Sequence, residues 1–480
     1  MRRVIKVDAE REIGRIDQRI YGHFIEHLGR CVYGGIVEEG SPLADAHGFR
    51  RDVLDAARRV RVPVLRWPGG NFASGYHWED GIGPRDHRPR KMDLAWRTEE
   101  SNRFGTDEFI RYCRELNTEP YICVNAGWGT AEEAAHWVEY CNCAGETHYA
   151  ALRRTYGHGE PYNVRYWGVG NEVYGNWQIG AKSAGAYARQ LVEFAKVMKR
   201  VDPSIQIVAV GADRPDWDLQ VLRTAGDHIH YISNHQYYGS DDYLTVVGFA
   251  HVVEHKLNVL GDVIEIAQAE RSPEHPVGIA FDEWNVHRKT GDAELNESYR
   301  IEDALFACGV FHAMHRLCNV VTMANLAQMV NILGLISTQP GKMVLSPIYH
   351  AFDLYVNHFG SIAIDSFAPG PTFNGQHELE KHVPYVDVSA SLSDDRSALY
   401  VAVINRHRDE PAGLAVELDG FVPQPVANTW VLSAEPGTMN TYGAPHAVEL
   451  EQGSFGGAAR RFQYTFPPHA AVILEMARHV

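Results

Sequence analysis

Residues 166–172 read Tyr-Trp-Gly-Val-Gly-Asn-Glu, an apolar run that ends in a Gly-x-Gly turn and then offers an amide and a carboxylate. The pattern predicts a buried strand that presents Asn171 and Glu172 at its carboxyl end. A second stretch, residues 277–285, reads Val-Gly-Ile-Ala-Phe-Asp-Glu-Trp-Asn and presents Glu283 in the same way. The two stretches therefore predict a pair of glutamates held by separate buried strands.

The sequence around these stretches alternates between two textures. From about residue 18 to 350, eight short apolar β-rich runs are each followed by a helical stretch. This repeat predicts a (β/α)₈ barrel over residues 16–360. A doubly wound sheet is the alternative, but the Gly-rich phosphate loop typical of that fold does not occur in the sequence. Since a barrel forms its active site where the strands end, residues at those ends are the candidate functional residues.

After about residue 360 the helical periodicity stops. Alternating apolar runs, such as residues 398–404 and 470–474, lie between turns rich in Pro, Gly and Asn. This pattern predicts an antiparallel β-sandwich over residues 361–480. The apolar residues near the N-terminus precede the first barrel run, and we expect residues 1–15 to add a strand to that sandwich.

Composition limits the partners of the protein. The 480 residues include 45 Lys and Arg against 61 Asp and Glu, a formal net charge of −16 that disfavours nucleic acids and anionic membranes. The N-terminus lacks the apolar segment of a signal peptide. Seven cysteines at irregular spacing include no C-x-x-C pair, which predicts free thiols and a cytoplasmic protein.

Polar side chains recur at the predicted strand ends. Any one of them is by default a cap or a solvated loop residue, but their recurrence at the same phase of the repeat favours a shared site. Retaining glycoside hydrolysis needs two carboxyl groups about 5–5.5 Å apart, one as nucleophile and one as acid and then base. Glu172 and Glu283, on the fourth and seventh strands, are the candidates for that pair. Four tryptophans offer flat faces for sugar rings, with core packing as the equal alternative: Trp67, Trp96, Trp177 and Trp284.

Six stretches in this order resemble the α-L-arabinofuranosidases of glycoside hydrolase family 51. They span the whole predicted barrel, whereas the C-terminal part matches in texture only. The stretches are residues 19–27 (RIYGHFIEH), 66–72 (RWPGGNF), 168–172 (GVGNE), 235–239 (HQYYG), 281–286 (FDEWNV) and 327–331 (AQMVN).

The resemblance implies a cytoplasmic, exo-acting retaining enzyme that trims arabino- or arabinoxylo-oligosaccharides. It also implies a homo-oligomer, often a hexamer, without a metal or organic cofactor. By the same resemblance, Glu172 is the acid/base and Glu283 the nucleophile, and the substrate-binding residues are Glu26, Asn71, Asn171, His235, Tyr237 and Gln328. Of the four tryptophans, Trp96 and Trp177 are the candidates for substrate binding.

Two departures from the family pattern concern the outer subsites. His287 stands where bacterial relatives often carry an aromatic residue, and the segments 213–217 and 239–243 are short. These features leave the catalytic pair unchanged, but they leave the preferred linkage and leaving group open.

Three other functions compete with this hypothesis. Another retaining glycosidase of the same barrel clan, such as a different furanosidase, a xylosidase or an endoglucanase, would share the Asn-Glu and late Glu signatures. A carbohydrate-binding protein would need aromatic platforms but no carboxylate pair. A zinc protease is suggested by H-x-x-E-H at residues 251–255, yet 25 histidines make chance pairs common, and that segment reads as an outer helix.

Overall fold

The chain folds into a closed parallel barrel and a second, mostly antiparallel sheet. The computed structural model describes residues 4–271, 275–288 and 297–479. Within these residues the barrel has eight strands in sequence order, and the second sheet has nine. The predicted (β/α)₈ barrel is confirmed, and the doubly wound alternative is wrong because the strand that would be its edge pairs back to the first.

The barrel strands are buried because helices cover their outer faces and neighbouring side chains fill the interior. Two of them extend further than the sequence pattern predicts, so Glu283 lies within its strand rather than after it. The first strand of the chain, β1 (Val4–Arg15), lies outside the barrel. The barrel strands are β2 (Gly22–Phe24), β3 (Val64–Trp67), β4 (Glu119–Val124), β5 (Tyr166–Val169), β6 (Gln206–Ala209), β7 (Tyr231–Tyr238), β8 (Gly278–Val286) and β9 (Val321–Ala327).

Several helices begin at capping residues that are visible in the sequence. Thr130 and Asp242 each accept a hydrogen bond from a backbone N–H of the first turn, and Pro215 opens its helix. The helices are α1 (Arg51–Arg59), α2 (Thr106–Leu116), α3 (Ala131–Asn142), α4 (His148–Thr155), α5 (Ala184–Val201), α6 (Pro215–Ala225), α7 (Tyr243–Ala269), α8 (Ile301–Arg316) and α9 (Pro347–His358). Across the described ranges, none of the helices combines the length and apolar character needed to cross a membrane.

The second sheet curls around its own apolar core, which includes Ile5, Val403, Val416 and Leu474. Strand β1 lies inside this sheet, antiparallel to one neighbour and parallel to the other, so the predicted N-terminal strand is confirmed. The remaining strands are β10 (Ile362–Phe367), β11 (Val386–Leu392), β12 (Ala398–Asn405), β13 (Ala412–Asp419), β14 (Val426–Ser433), β15 (Leu450–Gly456), β16 (Arg461–Phe466) and β17 (Ala470–Ala477). Their order is β15-β14-β17-β12-β11-β10-β1-β13-β16.

Short hairpins and 3₁₀ turns complete the loops. The hairpins pair Lys91–Met92 with Glu99–Glu100, Ile336–Gln339 with Lys342–Leu345, and Thr372–Phe373 with Val383–Pro384. The 3₁₀ turns are Gln18–Tyr21, Asn71–Gly75, Trp78–Gly81, Arg85–His87 and Gly226–His228.

Helices α8 and α9 separate the barrel from the second sheet. At the end of α8, Arg316 donates to Asp387 of β11 at 3.0 Å and to Glu254 of α7 at 2.6 Å. Arg406 also donates to Asp387, at 2.6 Å. The apolar core around the barrel continues into the sheet at residues such as Ile404. A buried ion network and a shared apolar core therefore join the two parts.

Candidate active site

The ends of the barrel strands bring Glu172 and Glu283 together. One carboxylate oxygen of Glu172 lies within 4.8 Å of one carboxylate oxygen of Glu283. A ring nitrogen of His235 lies within the same distance of both oxygens. Retaining glycosidases hold their carboxyl groups about 5–5.5 Å apart, whereas inverting enzymes leave about 6.5–9.5 Å for a water molecule. The close approach of these oxygens matches the retaining arrangement.

Glu172 occupies an unusual backbone conformation. Its φ is +43°, and two residues earlier Gly170 has a φ of +86°. A non-glycine residue in this region costs about 1–3 kcal/mol, so the surroundings have to hold it in place. Tyr174 donates to Glu172 Oε1 at 3.2 Å, and Trp177 Nε1 donates to Oε2 at 3.1 Å. The turn and these two donors aim the carboxylate at the barrel axis.

Glu283 is held by a buried arginine and a tyrosine. Arg66 Nη1 donates to Glu283 Oε1 at 2.7 Å, and Tyr237 donates to Oε2 at 2.8 Å. The other terminal nitrogen of Arg66 donates to Asn171 Oδ1 at 2.7 Å. Burial opposes the charge of Arg66, but the carboxylates of Asp282 and Glu283 outweigh it and raise the pKa of Arg66 well above its ordinary value. One cation therefore fixes both the predicted nucleophile and the predicted sugar ligand Asn171.

His235 lies among three carboxylates. Its Nδ1 is 3.0 Å from Glu172 and 3.6 Å from Glu283, and its Nε2 is 3.2 Å from Asp282. Burial by itself would lower the pKa of His235, but the charge of Glu283 and the contacts with Asp282 and Glu172 raise it to about 10. The ring is therefore an imidazolium at neutral pH.

The same contact sets the charge of Glu172 in the free site. Burial raises the pKa of this carboxyl group, but the hydrogen bond and charge of His235 outweigh burial and bring the pKa below its ordinary value. Before substrate binds, the proton therefore lies on His235 rather than on Glu172, about one hydrogen-bond length away.

A second wall is built around Glu26. Phe72 N–H and Trp96 Nε1 donate to Glu26 Oε1 at 3.0 and 3.1 Å, and Gln328 Nε2 lies 3.4 Å from Oε2. Burial is the main influence on this carboxyl group and raises its pKa to about 8. Asn71 accepts from Asn171 Nδ2 at 3.4 Å. The structure thus brings together the predicted ligands Glu26, Asn71, Asn171 and Gln328.

Gly70 makes room for this wall. Its φ is +28°, and a Cβ atom at this position would lie 2.6 Å from the carboxyl carbon of Glu26. Only glycine combines that backbone conformation with the space that Glu26 needs.

The four tryptophans divide into two groups. Trp96 is half-buried beside Glu26, and Trp177 is 61% exposed beside Glu172. Trp67 and Trp284 are fully buried in the core, so for these two residues the core-packing alternative is confirmed. Both lie on strands whose outer faces pack against helices, which the sequence pattern alone did not distinguish.

Glu172, His235 and Glu283 have a spacing that a divalent cation could bridge. Two features make them a poor metal site. Arg66 already donates to Glu283 at 2.7 Å, and His235 carries a proton on the nitrogen that would bind the metal. The geometry fits a shared-proton network better than a metal centre.

Sequence reasoning missed part of the site. It assigned no role to Arg66, Asp282, Tyr121 or Tyr174, although a charged residue within the apolar run 62–67 was a usable signal. Tyr121 donates to Asp282 at 2.8 Å and so supports the residue that faces His235.

Two other features singled out in the sequence, the H-x-x-E-H segment and His287, make no direct contact with Glu172 or Glu283 among the described hydrogen bonds. In the H-x-x-E-H segment on α7, Glu254 forms the ion pair with Arg316. His287 lies edge-on to Tyr237, with ring centroids 6.5 Å apart, and its Nδ1 is 3.1 Å from Glu297.

Comparisons with known proteins agree with this geometry. Residues 56–248 match the model of an α-L-arabinofuranosidase 1 domain, and residues 282–470 match that of an α-L-arabinofuranosidase C-terminal domain. The chain is 37% identical to α-L-arabinofuranosidase C of Emericella nidulans, with coverage of 98% of this chain and 96% of that protein. It is 36% identical to the intracellular exo-α-(1→5)-L-arabinofuranosidase 1 of Bacillus subtilis, over 89% of each chain. The GH51 α-L-arabinofuranosidase structure from Thermotoga petrophila superposes with a TM-score of 0.94 at 45% identity, covering 98% of this chain and 99% of that one.

Proposed function

This chain belongs to the α-L-arabinofuranosidases of glycoside hydrolase family 51, and from that premise we propose that it removes terminal α-L-arabinofuranosyl residues by double displacement. The observation that supports the retaining route is the approach of Glu172 and Glu283 to within 4.8 Å, too close for a water molecule and a sugar between them.

The two glutamates take separate roles. Glu283 attacks the anomeric carbon while Glu172 gives a proton to the departing glycosidic oxygen, which yields a covalent arabinofuranosyl-enzyme. Glu172 then takes a proton from water, the water attacks the same carbon, and the product keeps its anomeric configuration. The donors Arg66 and Tyr237 hold the carboxylate of Glu283 in one orientation for attack.

His235 supplies the proton that Glu172 needs. In the free site the imidazolium Nδ1 lies 3.0 Å from Glu172 Oε1. A leaving group that displaces water from this corner favours the neutral acid, because desolvation penalises the charged carboxylate. The proton then moves from Nδ1 to Oε1 without any rearrangement of the backbone.

The wall around Glu26 recognises the furanose. Glu26, Asn71 and Gln328 face the sugar hydroxyls, and Asn171 donates to the 2-hydroxyl, where a hydrogen bond strengthens as the oxocarbenium ion forms. Trp96 lies beside Glu26, and a pocket closed on this side would accept only a chain end.

The natural substrates follow from the same proposal. Arabino- and arabinoxylo-oligosaccharides carry the terminal residue that this pocket fits, and the Bacillus subtilis relative is named for α-(1→5) linkages. The alternatives within the clan are a different furanosidase, a xylosidase and an endoglucanase. A xylosidase would need a pyranose-shaped wall, and an endoglucanase would need an open cleft.

We also propose a cytoplasmic homo-oligomer, with a hexamer as the specific expectation from the family. The seven cysteines are all free thiols, and six of them are buried, as in proteins kept in a reducing compartment. The proposed domain division is a catalytic barrel over 16–360 and a sheet domain over 361–480 together with 1–15.

Product analysis on a panel of oligosaccharides tests the proposed function. We expect free arabinose from non-reducing ends of arabino- and arabinoxylo-oligosaccharides, released first with its anomeric configuration retained. Preferred release of xylose, or internal cleavage, would instead support the clan alternative.

A further inference from the structure

An exposed apolar rim lies on the loops that surround Glu172. We define the outer rim as Met92, Leu94, Trp128 and Trp177. Among the described residues, these are four of the eight large apolar side chains that are exposed. Such a concentration of exposed apolar surface marks a binding surface rather than ordinary surface variation.

The loops that carry the outer rim interlock. A Cβ atom on Gly127 would lie 2.5 Å from the carbonyl oxygen of Ile179, and one on Gly75 would lie 3.4 Å from the Leu94 side chain and 3.7 Å from that of Ile179. Ile179 therefore contacts both neighbouring loops. Trp128 and Trp177, on consecutive barrel loops after β4 and β5, are held on the same side of the mouth.

One residue of the outer rim, Trp177, contacts the proposed proton donor Glu172. Trp177 Nε1 donates to Glu172 Oε2 at 3.1 Å while 61% of the side chain stays exposed. Because the proton donor must face the glycosidic oxygen, the ring of Trp177 lies beside the first sugar of the leaving group. Trp128 is 62% exposed on the neighbouring loop, after β4, and its chain neighbour Gly127 packs against Ile179 of the Trp177 loop.

We propose that Trp128 forms an outer acceptor subsite that stacks on the second sugar of the leaving group. The inference rests on the proposed role of Glu172 as proton donor. Sugar rings present apolar C–H faces to aromatic rings, and a neutral oligosaccharide suits a chain with a net charge of −16. The enzyme would thereby recognise the length of the chain from which it releases arabinose.

Steady-state kinetics on a ladder of substrates tests the subsite. The ladder consists of an aryl α-L-arabinofuranoside and α-1,5-linked arabinobiose, arabinotriose and arabinotetraose. For wild type, kcat/KM rises from the disaccharide to the trisaccharide. In Trp128→Ala the ratio of these two values falls about tenfold, as expected for the loss of one stacked ring, and Trp128→Phe restores most of it. Phe367→Ala removes a side chain of equal exposure from the second sheet and leaves the ratio unchanged.

Three results would overturn the subsite. They are a wild type without preference for the trisaccharide, an unchanged ratio in Trp128→Ala, and a change of oligomeric mass in that variant by light scattering. The last would mean that a second copy of the chain covers the outer rim. A wild type inactive on every arabinofuranoside would overturn the proposed function itself, which separates the two failures.

Discussion

Glu283 and Glu172 have different hydrogen-bond partners and different proposed roles. Variants at the two positions should therefore give different products in the presence of azide. Glu283 accepts from Arg66 and Tyr237 and is expected to form the covalent bond. In Glu283→Gly we expect kcat to fall roughly 10⁴-fold or more. Azide fits the space left by the carboxylate and attacks directly, so the rescued reaction gives the inverted glycosyl azide, identified by NMR.

Glu172→Ala provides the matched comparison. With an activated aryl leaving group, which needs no proton, the first step proceeds and azide intercepts the glycosyl-enzyme. The product is then the retained glycosyl azide. If the two variants gave the opposite stereochemistry, the two roles would be exchanged.

The raised pKa of His235 predicts how the activity falls at alkaline pH. Its carboxylate neighbours raise its pKa to about 10, against an ordinary histidine value of about 6.5. A raised pKa keeps the proton bound as the pH climbs, so activity that depends on this proton is lost only on the alkaline side. In His235→Asn we expect the alkaline limb of kcat/KM to move to lower pH, and kcat on poor leaving groups to fall about 100-fold. An alkaline limb at the wild-type position would contradict the shared-proton model.

Single residues also show where sequence reasoning stops. Glu172 and Glu283 could be predicted because each ends or follows an apolar run, a local pattern. Arg66 could be noticed as a charge within an apolar run, but its role could not be predicted, because that role depends on Glu283 and Asn171, which lie 217 and 105 residues away in sequence. Long-range hydrogen bonds of this kind have no local signature.

At the scale of elements, the conformation of the turn after β3 determines where Glu26 lies in the substrate site. Gly70→Ala adds a Cβ atom 2.6 Å from the carboxyl carbon of Glu26, at a φ of +28°. We expect KM for arabinofuranosides to rise about tenfold or more as Glu26 is displaced, with a stability cost of about 1–3 kcal/mol. Kinetics and thermal unfolding measure the two effects.

Gly40→Ala controls for strain. Gly40 also has a positive φ, +79°, but a Cβ atom there would meet nothing within 4 Å. It should lose stability by a similar mechanism and leave KM unchanged. Equal KM changes in both variants would mean that displacement of Glu26 is not the cause.

Element types were predictable, whereas some boundaries were not. The alternation of apolar runs and helical stretches predicted all eight barrel strands and the helices that follow them. Strands β7 and β8 run on to Tyr238 and Val286, through polar residues that read as loop. Those residues pair with each other because β7 and β8 are neighbouring strands, for instance Glu283 with His235, and such pairing is not visible in a single strand's pattern.

For the whole molecule, Asp387 is the charged residue through which the second sheet binds to the helices around the barrel. It accepts from Arg316 and Arg406, and His312 lies 3.6 Å away. Asp387→Asn would leave the buried Arg406 without its charge partner, at a cost of about 3–5 kcal/mol, whereas Arg316 would keep its contact with Glu254. We expect a lower Tm by calorimetry at neutral pH. Asp419→Asn, an exposed aspartate of the same sheet, should have little effect.

The pH dependence of this loss has a defined sign. Burial by itself would raise the pKa of Asp387, but the two arginines bring it well below its ordinary value. Its stabilisation is therefore complete above the unfolded pKa of about 3.9 and is lost as the pH falls through the lower folded value. The Tm difference between wild type and Asp387→Asn should stay constant from pH 8 to about pH 4 and narrow below. A difference that grows on acidification would contradict the ion network.

Strand β1 is synthesised first but pairs with two strands that are synthesised late. It lies between β10 and β13, and β10 begins at Ile362, so β1 leaves the ribosome long before either partner exists. At typical synthesis rates it waits roughly 20–70 s, while the barrel residues emerge. Throughout that interval Ile5 and Val7, which end up buried, have no sheet to cover them. The nascent chain therefore presents a ready binding segment for chaperones.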